Sequence, residues 1–156
     1  MKKVWYAPYK FESYGEEEIK AVEESLRSGW LGGQGPKSVE FEKAIAKRFG
    51  KKHGAFVNSG SSACLLAIAA LDLPKGSKII TPACTFSTTL APIIQLGYKP
   101  VFVDVDLTSY CAVVDEVISK VDDDVKAIML PNLIGNTPHW NELKLKLNLL
   151  KRDDII

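Results

Sequence analysis

Ala55-Phe56-Val57-Asn58-Ser59-Gly60-Ser61-Ser62-Ala63 reads as three pieces of structure in nine residues. Ala55 to Val57 is a short apolar strand, Asn58-Ser59-Gly60 is a turn, and Ser61 opens a helix over 61–71. A strand that runs straight into a helix is the unit from which α/β folds are assembled. The helix is apolar nearly all round, which predicts burial on several sides.

The chain downstream repeats that alternation. Strands are predicted at 78–80, 100–103 and 126–130, and helices at 87–96, 114–121 and 140–150. Pro92 fits only the first turn of its helix or a kink. Leu143, Leu147 and Leu150 share one face of the last helix. Asp153-Asp154-Ile155-Ile156 has the composition of one more strand opening. Because a parallel strand needs neighbours and a returning helix, the chain is expected to be the front of a longer protein. The fold class is α/β, three-layer, with a mainly parallel sheet and helices on both faces.

Upstream, residues 1–50 form an N-terminal helical segment, and residues 51–156 the sheet domain. The first helix is predicted at 15–28, with Ser13 and Glu16 at capping-box spacing and Ile19, Val22 and Leu26 on one face. The second starts at Gly35-Pro36, carries Phe41, Ile45 and Phe49, and stops before Gly50. Both are amphipathic and are expected to lie against something larger.

A chain of 156 residues suits one compact domain and can bury a core without disulfide or metal. Twenty Lys plus Arg against nineteen Asp plus Glu leaves +1, which offers nothing to nucleic acid or to an anionic membrane surface. Cys64, Cys84 and Cys111 are odd in number and contain no C-x-x-C pair, against both a secreted disulfide framework and a zinc site. No metal and a cytoplasmic setting are expected. The apolar run from Ala63 to Ala70, which Leu71 extends by one residue, is far short of a membrane span, and the N-terminus lacks a signal peptide's apolar stretch.

Three stretches could carry chemistry. At Ser59-Gly60-Ser61-Ser62 a strand meets a helix N-terminus, where unpaired N–H groups and the helix dipole favour an anion such as phosphate. The plainer reading is a serine cap on a buried helix. A nucleophile elbow fails, because its second glycine is replaced by Cys64. Thr81-Pro82-Ala83-Cys84-Thr85-Phe86 follows a strand, at the edge where ligands collect in open α/β sheets, and Phe86 could stack on a flat ring or belong to the core. Neither His53 nor His139 stands within the motif to activate Cys84. Asp104-Val105-Asp106-Leu107-Thr108 resembles the first motif of haloacid-dehalogenase-type phosphatases, with Asp104 as nucleophile beside magnesium; the preferred reading is a turn in which both aspartates cap a strand.

In this order and spacing, Gly35-Pro36 with Phe41-Glu42, Asn58 to Ala63, Pro82 to Phe86 and Pro100 to Asp106 resemble the DegT/DnrJ/EryC1/StrS sugar aminotransferases over nearly the whole chain. The resemblance implies the front of an aspartate-aminotransferase-like large domain that binds pyridoxal 5'-phosphate or pyridoxamine 5'-phosphate. It implies that Gly60, Ser61 and Ser62 hold the cofactor phosphate and that Phe86 stacks on the pyridine ring. Trp30 to Gly33 matches a loop close to the active site. The implied partners are a nucleotide-linked keto sugar, an amino donor such as glutamate, and a second subunit in a homodimer. The implied setting is surface-polysaccharide, lipopolysaccharide or deoxysugar biosynthesis.

The family's Schiff-base lysine, and the aspartate that pairs with the pyridine nitrogen, match positions beyond Ile156. The catalytic residues are therefore unassigned, and the 156-residue chain alone is expected to be inactive. Amino transfer is the leading activity. A branch resembling the CDP-4-keto-6-deoxyglucose 3-dehydrases uses the pyridoxamine form with histidine in place of the lysine. Ser59 to Ala63 and Leu133-Ile134-Gly135-Asn136 are similar to that branch. Behind these two enzyme activities stand a non-catalytic remnant and, last, the magnesium phosphatase.

Overall fold

The computed structural model describes residues 14–156. The chain divides into two compact units, with the boundary between Phe56 and Val57, and each is described by itself.

The first unit holds α1 (Glu16–Ser28) and α2 (Pro36–Arg48). Gly15 caps α1, and its N–H donates to the Glu18 carboxylate at 2.7 Å, which holds that carboxyl below its usual range. Ser13, the expected cap, lies outside the described residues. Glu16, Glu17 and Glu18 lie at the positive end of the helix dipole, and Gly29 ends the helix at φ +77°. The expected strand at 55–57 is not formed. No described strand pairs with it; instead the Phe56 N–H donates to the Glu42 side chain at 2.8 Å, and its ring meets Phe41 edge-on at 5.4 Å. Gly54 allows this approach, since a Cβ there would sit 2.7 Å from the Glu42 carbonyl oxygen.

The second unit runs α3 (Gly60–Ala69), β1 (Lys78–Pro82), α4 (Ser87–Gln95), β2 (Lys99–Val103), α5 (Val114–Ser119), β3 (Val125–Ile128), a 3-10 turn (Leu133–Gly135) and α6 (Trp140–Leu149). The strands are parallel in the order β2-β1-β3, with Ile80 opposite both Val101 and Ile128. On one face Ile80, Val103 and Val125 pack with Val114 and Val117 of α5 and Leu143 and Leu147 of α6. On the other, Ile79 and Ala127 pack with Ile68 of α3 and Ile93 of α4. Ile79 and Ile80 are both fully buried, as the central strand of a sheet covered on two faces requires. This is the expected three-layer α/β architecture.

Two packing expectations are corrected. In α3 only Ile68 is buried, while Leu66 is 50% exposed, so its all-round apolar character is not matched by cover in this chain. Leu150 closes α6 as its C-cap residue and is exposed, outside the buried Leu143–Leu147 stripe. Pro92 sits inside α4 and is buried there. At the end of the chain Ile156 exchanges two backbone hydrogen bonds with β3: its N–H donates to Lys126 at 3.2 Å, and its carbonyl accepts from Ile128 at 2.8 Å. That pattern is the parallel ladder in its first rung.

Candidate active site

Ser59 is the N-cap of α3, and its hydroxyl oxygen accepts from the Ser62 N–H at 3.1 Å. The Ser62 hydroxyl donates to the Asn58 side-chain oxygen at 2.7 Å. The serine cap therefore forms in the same turn as the candidate anion seat. Among the described residues, the N–H groups of Gly60 and Ser61 and the Ser61 hydroxyl have no hydrogen-bond partner. Gly60 and Ser61 are both exposed, and a Cβ built on Gly60 would meet nothing within 4 Å. Two free amides, a free hydroxyl and the positive end of a ten-residue helix make a donor set suited to a phosphate.

Phe86 is the N-cap of α4, and its carbonyl accepts from the Thr89 N–H at 2.9 Å. A Thr85–Thr89 hydroxyl contact at 3.0 Å braces the turn, and Phe86 itself is 68% exposed. It is therefore not a core residue. Helices α3 and α4 pack together, and Ile68, Leu71, Ile93 and Leu96, at their C-terminal ends, share one cluster with the start of β1. The two N-termini consequently lie towards the carboxyl edge of the sheet, Gly60 about 12 Å along the helix from Ile68. That edge is where open α/β sheets bind ligands. Beneath it Thr81 is fully buried, and its hydroxyl has no partner among the described residues, a feature that composition alone gives no signal for.

The Asp104–Thr108 segment is a turn. The Asp104 carboxylate accepts from Val105 N–H, and the Asp106 carboxylate accepts the N–H groups of Thr108 and Ser109 at 3.0 and 2.9 Å as well as the Thr108 hydroxyl. These bonds hold Asp106 down at about 2, led by the Thr108 side chain, so it stays ionised and is unsuited to donating a proton. No group of three metal-binding side chains occurs among the described residues.

The neighbouring loop holds a feature that the sequence did not announce. Ile134 adopts φ 57° and ψ 23°, left-handed and costly for a β-branched residue, and is 79% exposed. Asn136 pins the loop by donating from its side chain to the Ser109 carbonyl at 2.7 Å. In the first unit, Trp30 to Gly33 borders a cavity of about 350 Å³ shared with Lys37 and Ser38. Among the described residues no helix is long and apolar enough to cross a membrane.

The model of the DegT/DnrJ/EryC1/StrS aminotransferase family matches residues 12–146. This chain belongs to that family. The GDP-4-keto-6-deoxy-D-mannose 3-dehydratase of Escherichia coli O55:H7 is 36% identical to this family member over 142 residues, covering 87% of the chain and 36% of that protein. An E. coli GDP-4-keto-6-deoxy-D-mannose-3-dehydratase structure with bound hydrated pyridoxal phosphate superimposes with a TM-score of 0.84 at 35% identity, covering 93% of this chain and 38% of that one. A putative sugar aminotransferase from Streptococcus pneumoniae, in its pyridoxal phosphate form, does so at 0.82 and 26% identity, covering 97% and 38%. This DegT-family chain thus spans about two fifths or less of the length of these relatives.

Proposed function

We propose that residues 51–156 supply the front of a domain that binds pyridoxal 5'-phosphate or pyridoxamine 5'-phosphate, in an enzyme that modifies a nucleotide-linked keto sugar. Gly60 and Ser61 hold the cofactor phosphate through their N–H groups, Ser61 adds its hydroxyl, and Ser62 joins once its hydroxyl turns from Asn58. Phe86 would offer its exposed face for the cofactor ring to stack on. The observation that carries this reading is the set of unpartnered donors at Gly60 and Ser61, open to solvent beside a helix whose cap is an exposed aromatic. Charge-assisted hydrogen bonds to such an anion contribute about 1.5–3 kcal/mol each. When bound, the cofactor supplies an electron sink for bond breaking next to the carbon it holds.

Of the two chemistries the family offers, 3-dehydration is favoured. The support is the likeness at Ser59 to Ala63 and Leu133 to Asn136, together with a 3-dehydratase at 36% identity over most of the chain. Amino transfer from glutamate, which leads from the sequence, keeps the support of the family as a whole and of the S. pneumoniae structure. Histidine in place of the family's Schiff-base lysine, in a longer chain carrying this segment, marks the first; lysine marks the second. A cytoplasmic homodimer completes the proposal.

Titrating pyridoxal 5'-phosphate into the 156-residue chain and following backbone amide resonances tests the cradle. Saturable shifts are expected at Gly60, Ser61 and Ser62 and on the Phe86 ring, without a lysine-bound chromophore. The Ser61→Ala, Ser62→Ala double variant is expected to weaken them. Shifts confined to other residues, or none at saturating cofactor, overturn the assignment.

A further inference from the structure

The amino-terminal edge of the sheet, opposite the candidate site, carries a side chain that the cofactor reading does not use. Arg152 stands in the turn between α6 and Ile155, after Lys151 has ended the helix at φ 56°. Its side chain is 15% exposed. One guanidinium nitrogen donates to the Asp122 carbonyl at 2.6 Å and another to the Val125 carbonyl at 2.8 Å, where the chain enters β3. The Nε and Nη2 groups also meet both oxygens of Asp154, at 2.8 and 3.1 Å. Asp122 is in turn tied to Lys78 at the head of β1, which also pairs with Asp124 at 3.3 Å, and Asp154 pairs with Lys126 at 3.8 Å.

A parallel strand has no hairpin to set its register, and a slip of one residue exchanges its two faces. Here Ile155 packs on the Ile80–Val125–Leu143 side of the sheet, while Ile156 is 65% exposed. We propose that Arg152 is a positioning residue that fixes the register of a fourth parallel strand against β3, by clamping the turn before that strand to the backbone at the start of β3. The two Ile156–β3 hydrogen bonds are the first rung of that ladder. A strand so aligned runs towards the same carboxyl edge as Ser61 and Phe86, and Arg152 sets which of its residues face the site. Only this last consequence rests on the cofactor reading.

Amide hydrogen exchange on the 156-residue chain tests the clamp with an internal control. The Ile128 N–H is bonded to Ile156, whereas the adjacent Met129 N–H is bonded to Ile80 of β1. In Arg152→Met, and in Arg152→Lys, which keeps the charge but loses the fork, Ile128 is expected to lose protection by about tenfold or more while Met129 holds. Equal loss at both amides marks a merely structural role and overturns the proposal, as does undiminished protection at Ile128. Should Arg152→Met fail to fold, the lysine variant carries the comparison. Failure of pyridoxal phosphate to bind in the Ser61 variants leaves these amides untouched, so the two readings fail separately.

Discussion

Ser59 and Phe86 hold the same station on two neighbouring helices: each is the N-cap residue, Ser59 of α3 and Phe86 of α4. One cap satisfies its helix through a side chain, the other leaves its ring free. The serine is therefore a stability element as well as a neighbour of the proposed anion seat. Replacing Ser59 by Ala removes the acceptor for the Ser62 N–H and is expected to cost about 0.5–2 kcal/mol, read as a lower urea midpoint at unchanged slope.

Asp106 gives the fold a predictable acid limb. Its carboxyl is lowered in the folded chain to about 2, from an ordinary value of 3.8. The group is therefore charged and bonded at neutral pH, and its stabilisation is present in full above about pH 4. It is lost as pH falls from there through the folded value. The Asp106→Asn variant is expected to be less stable than the parent at pH 7 and to converge with it towards pH 2. Parallel denaturation curves over that whole range count against this turn as the source.

How far the sequence carried the fold can be seen by comparing β1 with residues 55–57. Both are short apolar runs, and periodicity treats them alike. Lys78 to Pro82 became the central strand because two neighbours exist to pair with it; Ala55 to Val57 found none within the described chain. Propensity names the candidate, but a ladder partner makes the strand. Helix α3 misled for a related reason, since its apolar sides declare a wish for cover that this chain supplies only at Ile68. At the site, the serine cap at Ser59 and the turn of Asp104 to Thr108 were legible because each follows from local hydrogen bonding, whereas the place of Phe86 as a helix cap was not. The orphan hydroxyl of Thr81 and the left-handed Ile134 were not, because both depend on what distant segments leave open.

Within α6 the sheet-facing stripe decides which leucines matter. Leu143 is 2% exposed in the cluster with Ile80 and Val117, whereas Leu149 is 75% exposed. Leu143→Ala is expected to cost about 2–5 kcal/mol, the larger end if the cavity cannot collapse, and Leu149→Ala no more than about 0.5 kcal/mol. Equal effects in thermal or urea unfolding contradict the placement of α6 on that face.

Ile134 and Gly135 offer the opposite test, in which one substitution is expected to help. Both have positive φ, 57° and 83°, but only glycine tolerates that region without cost. Holding an L-residue there costs roughly 1–2 kcal/mol, and glycine's freer unfolded chain offsets about 0.4–1 kcal/mol of any relief. Ile134→Gly is thus expected to raise stability by about 0.5–1 kcal/mol, since the exposed side chain surrenders little packing. Gly135→Ala is expected to lower stability by a similar amount. The signs carry the argument: a destabilised Ile134→Gly chain means that the isoleucine side chain makes contacts that outweigh its backbone strain, and the loop is then held by packing. With opposite signs, the Asn136 bond to Ser109 is what keeps the loop in its strained shape, and Asn136→Ala should release it, seen as a fall in protection of the Asn136 N–H that donates to Leu133.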